Sequence, residues 1–432
     1  MKVCVVGLGY IGLPTAAMFA NNGCEVVGVD VKQDVVEVLN RGDIHIEEPG
    51  LADMIKTAVL NKSFRAAVAP EPADVYIVAV PTPNMEGDSY MSCDLTYVMK
   101  ACQSIVPYLK KGNIVIVEST IAPRSMDDYV KPLFKRHGFT IGEDIYLAHC
   151  PERVLPGQIL NELVNNNRIV GGITKKCTDA AAQVYSVFVK GEIIKTEAKT
   201  AEMSKCMENT YRDVNIALAN ELGKVCNDLD INVLEVIQMA NKHPRVNILS
   251  PGPGVGGHCL AVDPYFIYAK SPEYAKLIKL ARDTNNSMPE FVVDLTKSLL
   301  AGIRNPKIAV LGVTYKGNVD DMRESPALEV VSLLRAEGWR VAIHDPHVNH
   351  QDFVDCDEAV RDADVVLVLT DHDEFKQLNH RKITQLMRRP VLFDTRNIIK
   401  PQHQSGLEIV NFGNAYLHKR NNLKGELYEA IG

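Results

Sequence analysis

The chain has 432 residues, 46% hydrophobic and 23% charged, proportions of an ordinary globular protein that exclude wholesale disorder. At about 100–200 residues per domain, the length implies about two to four domains. Its 47 Lys and Arg against 54 Asp and Glu leave a net charge of −7, which argues against a general phosphate-backbone binder and so against a nucleic-acid partner. No apolar run approaches the roughly 18–20 residues that span a bilayer. Lys2-Val3-Cys4-Val5-Val6 opens as a strand rather than as a signal peptide, so a soluble, cytoplasmic protein with no membrane partner is expected. There the 10 cysteines are expected to be reduced, most of them as small packing residues. None forms a CxxC pair or a zinc-finger spacing, and no metal is expected.

Residues 3–6 are the first expected strand, followed by Gly7-Leu8-Gly9-Tyr10-Ile11-Gly12 and a helix over 13–21. Glu25–Val29 is a second strand that ends on Asp30, and apolar runs at 75–80, 114–117 and 145–148 continue the pattern. Continuous apolar strands separated by helices imply a parallel sheet covered on both faces. Residues 1–197 thus read as a Rossmann-like α/β domain. Apolar positions at helical spacing over 201–229 predict a long helix, a connector or dimerisation element. A loop rich in Pro and Gly follows over 243–264, then helical segments up to the Asn305-Pro306 break, so 198–304 reads as a helical middle domain. The α/β pattern restarts in 305–432, with strands at 307–313, 340–344, 364–369 and 391–393 and a helix at 325–337. The expected fold is α/β: two Rossmann-like, doubly wound parallel-sheet domains joined by a long central helix and a helical middle domain. The polar tail after Phe412, with its basic run His418-Lys419-Arg420, is expected to be solvated.

Four motifs carry chemistry. Gly7-x-Gly9-x-x-Gly12 lies between a strand and a helix, with Asp30 ending the next strand, which is the context a dinucleotide fingerprint requires. Gly7 permits a tight turn, Gly9 lets the backbone approach a pyrophosphate, and Gly12 allows close helix–strand packing. Asp30 can bind two ribose hydroxyls and repels a 2′-phosphate, which favours NAD over NADP. Pro81-Thr82-Pro83, Glu118-Ser119-Thr120 and Pro151-Glu152-Arg153 follow later strands, where open α/β sheets bind ligands, although turn chemistry explains them equally well. The run from Pro251 to Asp263 is dense in glycine, which lets backbone amides approach a ligand. Cys259 emerges from it as a candidate nucleophile with Asp263 four residues on, and His258 reads as structural. On the long helix Lys205, Asn209 and Arg212 share a face, which is either a solvated stripe or a source of oxyanion stabilisation.

Together these motifs resemble the nucleotide-sugar 6-dehydrogenase family, which includes the UDP-glucose dehydrogenases. The resemblance covers nearly the whole chain and is carried by GxGxxG, by Gly256-Gly257-His258-Cys259 with Asp263, and by the helix from Glu208 to Leu222. It is nearest to the branch acting on UDP-N-acetyl-D-mannosamine, through residues 42–46, Cys150-Pro151-Glu152-Arg153-Val154-Leu155-Pro156-Gly157, and 243–249. UDP-N-acetylglucosamine is the near competitor. The Phe-Leu-Arg-Glu-like stretch usual in UDP-glucose enzymes is missing after Glu152, which counts against UDP-glucose.

The resemblance implies an NAD-dependent four-electron oxidation of a C6 alcohol to an acid, with two NAD reduced per UDP-sugar. Cys259 is implied as the nucleophile that forms a thiohemiacetal and then a thioester. Lys205 and Asn209 are implied to stabilise the C6 oxygen, Asp263 and Thr120 to position water, and Glu152 to act as base in hydrolysis. NAD contacts are implied at Gly7, Gly9, Tyr10, Ile11, Gly12, Asp30, Pro81, Thr82, Ser119, Thr120 and Arg323. Substrate contacts are implied at Glu152, Arg153, Val154, Lys205, Asn209, Arg212, His243, Arg245, Gly257, Tyr315, Lys316 and Arg396. A homodimer, or a higher homo-oligomer, is also implied. The rival from another class is a non-catalytic sensor of NAD or nucleotide sugars that keeps the fold; retention of Cys259, Lys205, Asn209, Asp263 and Glu152 together argues against it.

Overall fold

The structure, a computed structural model, describes residues 1–85, 87–402 and 404–419. Arg420, the last residue of the basic run, lies outside them. Two compact units emerge: Met1–Glu208 with Tyr265–Tyr274, and Asn209–Pro264 with the residues from Ala275 on.

The first unit is built on eight strands: β1 (Lys2–Val6), β2 (Glu25–Val29), β3 (Phe64–Ala67), β4 (Val75–Val78), β5 (Ile114–Val117), β6 (Tyr146–His149), β7 (Arg168–Gly172) and β8 (Ile193–Glu197). Their order in the sheet is β3-β2-β1-β4-β5-β6-β7-β8. Successive residues of a strand face opposite sides. Val3 and Val5 accordingly pack with Leu13, Ala16 and Phe19 of the helix Gly12–Asn21, while Cys4 and Val6 pack with Val98, Cys102 and Phe134 on the other face. A strand covered on both faces has no polar side, which is why these runs read as continuously apolar.

One feature differs from the expected all-parallel arrangement. β6 pairs with β7 antiparallel, Ala148 opposite Gly172 and His149 opposite Gly171, and β7 pairs in parallel with β8 at the edge. The excursion between β6 and β7 is the short helix Ile159–Asn165, which returns the chain beside β6 in the opposite sense.

The second unit holds β9 (Lys307–Leu311), β10 (Arg340–His344), β11 (Val365–Val368), β12 (Val391–Asp394) and β13 (Glu408–Asn411), parallel throughout, in the order β10-β9-β11-β12-β13. Both sheets reverse winding beside their first strand, at β1/β4 and β9/β11, the place where such sheets open a ligand crevice. Of the tail after Phe412, expected to be solvated, Ala415 is buried in the core with Phe412 while Leu417 and Lys419 are exposed, and residues 420–432 lie outside those described.

The long helix runs from Ala198 to Asp228 without interruption, and helices follow at Val233–Ala240, Asp263–Lys270, Lys276–Asn286 and Met288–Leu299. Within the second unit a buried polar chain ties two of them. Arg282 donates to Asp213 Oδ1 at 2.6 Å, Asn285 donates to the same oxygen at 2.7 Å, and Asn220 donates to Asn285 at 2.8 Å. Asp213 and Arg282 are both buried, and each faces the opposite charge of the other. Arg282 also donates to Asn286 Oδ1 at 2.6 Å. Asp213→Ala is expected to cost up to about 3–5 kcal/mol of stability by removing the carboxylate opposite the buried guanidinium. Asp213→Asn should cost less, and chemical denaturation of both variants checks the difference.

Candidate active site

The glycine turn of the first unit is held from the neighbouring strand end. Gly7, at φ +95°, donates to Val29 O at 2.8 Å, and Leu8 donates its N–H to Asp30 Oδ2 at 3.2 Å. Lys32 donates to the other oxygen, Oδ1, at 3.0 Å, so backbone groups fix the Asp30 carboxylate at the mouth of the turn. A Cβ on Gly7 would lie 2.4 Å from Ala79 O, and one on Gly12 would lie 1.8 Å from Gly7 O. Packing therefore requires both glycines. Gly9 is different: a Cβ there would meet no protein atom within 4 Å. The helix Gly12–Asn21 begins at this point, with Ile11 at its N-cap and no side chain capping it, and Tyr10 is exposed beside it. Free N–H groups and a positive dipole end suit a pyrophosphate. The residues present thus fit a dinucleotide.

The later strand ends are tied to one another. Val80 donates to Ser119 Oγ at 2.9 Å, Ser119 donates back to Val80 O at 2.7 Å, and Thr82 donates to Thr120 O at 2.6 Å. Pro81 is exposed next to this clamp. Glu152 is buried; its Oε1 accepts the Arg153 N–H at 2.7 Å and its Oε2 lies 2.8 Å from Arg168. Arg153 is engaged by Glu208 of the long helix, with N–O separations of 2.5 and 3.0 Å, and donates to Asn167 O. Val154 packs against the core, and the turn that follows is held by Glu48, whose two oxygens accept the N–H groups of Gly157 and Ile159. Sequence reasoning missed Arg168, Glu208 and Glu48, because their partners are distant in the chain.

In the second unit the Asp263 N–H donates to Cys259 O at 2.9 Å, so cysteine and aspartate share one helical turn. Asn209 donates to Asp263 Oδ2 at 2.6 Å. Cys259 is half-buried and Asp263 buried. Packing requires the glycines before it. A Cβ on Gly256 would lie 2.2 Å from Glu324 O, one on Gly254 2.8 Å from Pro326, and one on Gly257 (φ +83°) 2.8 Å from the Tyr315 ring. Burial, with Asp321 and Cys259 nearby, pushes the Tyr315 phenol up. Arg323 is paired with Asp321 at 2.6 Å, and its carbonyl accepts the Gly257 N–H. Burial works to raise the Asp321 carboxyl, but the Arg323 hydrogen bonds outweigh it and hold it low. Arg396 donates to Leu369 O at 3.1 Å and faces Asp371. Lys316, Arg212, His243 and Arg245 are exposed, and the Arg245 N–H donates to His243 Nδ1. Lys205 is half-buried on the long helix, four residues before Asn209.

Among the described residues, His347, His372 and Glu374 bring ligand-type atoms within 4.8 Å of one another. His372 Nδ1 accepts the Asn318 N–H at 2.9 Å, so Nε2 carries the proton and points at Asp345 Oδ2. No lone pair remains on His372 for a cation, and the cluster reads as a hydrogen-bonded anchor. No helix among the described residues is long and apolar enough to cross a membrane.

Comparison with known proteins places these parts. Models of the UDP-glucose/GDP-mannose dehydrogenase family match along the chain: the NAD binding domain at residues 1–189, the central domain at 199–287 and the UDP binding domain at 309–401. A UDP-N-acetyl-D-mannosamine dehydrogenase of Methanococcus maripaludis is 48% identical over 96% of this chain and 97% of its own length. The solved UDP-N-acetyl-mannosamine dehydrogenase of Staphylococcus aureus is 57% identical, with a TM-score of 0.90 over 97% of this chain and 100% of that one. A UDP-glucose dehydrogenase of Pyrobaculum islandicum is 26% identical, with a TM-score of 0.80 over 96% and 97%. With its NAD-binding, central and UDP-binding segments all present and in order, the chain belongs to the UDP-glucose/GDP-mannose dehydrogenase family.

Proposed function

We propose that this enzyme oxidises the C6 alcohol of UDP-N-acetyl-D-mannosamine to the uronate. The observation that carries the chemistry is the turn in which Cys259 and Asp263 share a backbone hydrogen bond while Asn209 grips the aspartate. A two-electron alcohol dehydrogenase needs no cysteine there, whereas a four-electron oxidation does. The Cys259 sulfur adds to the aldehyde carbon, and the resulting hemithioacetal presents a second C–H. NAD, when bound, accepts one hydride in each oxidation, two per sugar. Lys205 and Asn209 stabilise the C6 oxygen as charge develops. Asp263 and Thr120 place the water, and Glu152 takes its proton as the thioester opens. Residues 1–197 serve NAD, 198–304 form the central segment, and 305–432 hold the UDP-sugar through Tyr315, Lys316 and Arg396, with His243, Arg245 and Arg153 as further contacts.

The substrate reading is supported by the 57% and 48% identities to enzymes named for UDP-N-acetylmannosamine, against 26% to one named for UDP-glucose. Arg212 reads the 2-acetamido group. A homodimer is supported by the long helix, where Tyr211, Leu218 and Val225 recur at seven-residue steps while remaining 70%, 55% and 46% exposed. In a panel of UDP-N-acetylmannosamine, UDP-N-acetylglucosamine and UDP-glucose, followed by NADH absorbance, kcat/KM is expected to be highest for the first. A preference for either of the others overturns the substrate assignment, and silence with all three favours a sensor.

Gly9→Ala is expected to leave stability within about 1 kcal/mol while raising KM for NAD about tenfold or more, since its Cβ meets only the ligand's path. Gly12→Ala is expected to destabilise the fold by about 1–3 kcal/mol, because its Cβ collides with Gly7 O. Thermal melts paired with NAD titrations separate the two effects.

The stoichiometry is expected to be two NADH per sugar acid with almost no free aldehyde. Cys259→Ala, supplied with the 6-aldehyde directly, should fail to oxidise it at a useful rate. Aldehyde oxidation at wild-type speed in that variant removes the covalent mechanism.

A further inference from the structure

Glu152 does not stand alone. Its Oε2 faces a guanidinium that is itself held on every side within the first unit. Arg168, the opening residue of β7, donates from the same terminal nitrogen to Glu118 Oε1 at 2.7 Å and from Nε to the Cys150 sulfur at 3.1 Å. Its plane lies 4.1 Å over the ring of Tyr185. Glu118, at the end of β5, also accepts from the Tyr185 hydroxyl at 2.7 Å and from Thr15 at 3.1 Å. Thr15, Glu118, Cys150, Glu152, Arg168 and Tyr185 are all buried. Two carboxylates thus share one guanidinium away from water. Such an arrangement is costly to build, and apolar residues of similar volume would serve packing at least as well.

We propose that Arg168 and Glu118 are positioning residues for Glu152, fixing its carboxylate and setting, through the ionisation of Glu118, how readily the pair accepts a proton during thioester hydrolysis. This rests on the reading of Glu152 as the base. In that step the oxygen of water bonds to the acyl carbon, the C–S bond breaks with its electron pair leaving on Cys259, and the proton of water passes to Glu152. The carboxylic acid formed loses its own proton to solvent. Burial pushes Glu118 up to about 7, against the pull of Arg168. Below that pH Glu118 is neutral and the guanidinium belongs to Glu152. Above it, Glu118 competes for the guanidinium and puts a second negative charge beside Glu152, which favours transfer of a proton from water to the pair.

Cys150, Tyr185, His149 and Arg168, packed around the pair, stay fixed through this range. Burial holds the Cys150 thiol up at about 12 and the Tyr185 phenol well above its ordinary value. His149, facing Val117 O, is driven down to about 3 and stays neutral, and Arg168 stays charged.

The test uses the full-length enzyme with NAD and UDP-N-acetylmannosamine from pH 6 to 8.5, reading steady-state turnover, the NADH burst, and the mass of acid-quenched protein for an acyl group on Cys259. Glu118→Gln keeps the shape and removes the charge. It is expected to match wild type within about twofold at pH 6, to lose about tenfold in turnover at pH 8 while acyl-enzyme accumulates, and to keep both KM values. Arg168→Lys keeps the charge but loses the fork, and should accumulate acyl-enzyme at every pH. A Glu118→Gln enzyme with the wild-type pH profile overturns the proposal. So does a loss equal at all pH values and accompanied by raised KM, which marks a purely structural role. Glu152→Gln is the control. If it accumulates acyl-enzyme while Glu118→Gln does not, the positioning role alone falls; if Glu152→Gln accumulates none, the reading of Glu152 as base falls with it.

Discussion

The same hydrogen bond anchors the crevice of each sheet: the carboxylate of an aspartate following the second strand accepts the backbone N–H of the residue after the first strand's glycine. Asp30 holds Leu8 in this way, and Asp345 holds Val313 at 2.7 Å. The glycine preceding each has positive φ and donates back into the strand, Gly7 to Val29 O and Gly312 to His344 O. In each case a Cβ on that glycine would collide with the strand across the switch, near Ala79 or near Thr370. Each turn thus lies at the switch point of its sheet, where the crevice opens and the first helix starts.

The two halves then diverge at the atoms that decide what they bind. Asp30 is half-buried, and among the described residues the backbone N–H groups of Leu8 and Lys32 donate to it. Asp345 is 5% exposed, and His372 directs its Nε2–H at it. Two residues after the first glycine stands Gly9 in one half and Thr314 in the other. Gly9 leaves the backbone open, whereas Thr314 is buried, donates to Lys316 O and contacts His372. The second turn therefore spends on internal packing the two features that a dinucleotide uses. That is the physical counterpart of a family in which one end binds NAD and the other UDP.

Legibility in the sequence followed how local each cause is. Strands buried on both faces, such as β1, β2 and β5, were readable because no polar residue interrupts them. β3, with Arg65 between apolar residues, and β8, mostly exposed at the sheet edge, carry no such signal. β7 opens on Arg168, a charge that reads as surface until Glu118 and Glu152 arrive from other strand ends to bury it. Its antiparallel sense was equally hidden, since periodicity carries no direction. Among site residues, Cys259 with Asp263 and the Gly7–Asp30 turn were visible because spacing alone brings them together. The pairings of Arg153 with Glu208 and Arg396 with Asp371 depend on tertiary approach, and no spacing announces them.

The glycine-rich run before Cys259 shows what close packing asks of a loop. Flexibility suits no reacting group, since misplacement by about 1 Å can cost a hundredfold in rate. Ordering a loop costs about 1–2 kcal/mol per residue in backbone entropy, and glycine pays most. The cost is offset by contacts available only to glycine: Gly254 and Gly256 let the backbone lie against Pro326 and Glu324, and Gly257 lies flat on Tyr315. On the other side Gly252 donates to Asn220, the last link of the buried chain that runs through Asn285 and Asp213 to Arg282. The loop is thus gripped by the long helix at one end and by the segment after β9 at the other. What the glycines supply here is close approach of protein to protein, and these contacts fix the end of the loop at which the half-buried Cys259 stands.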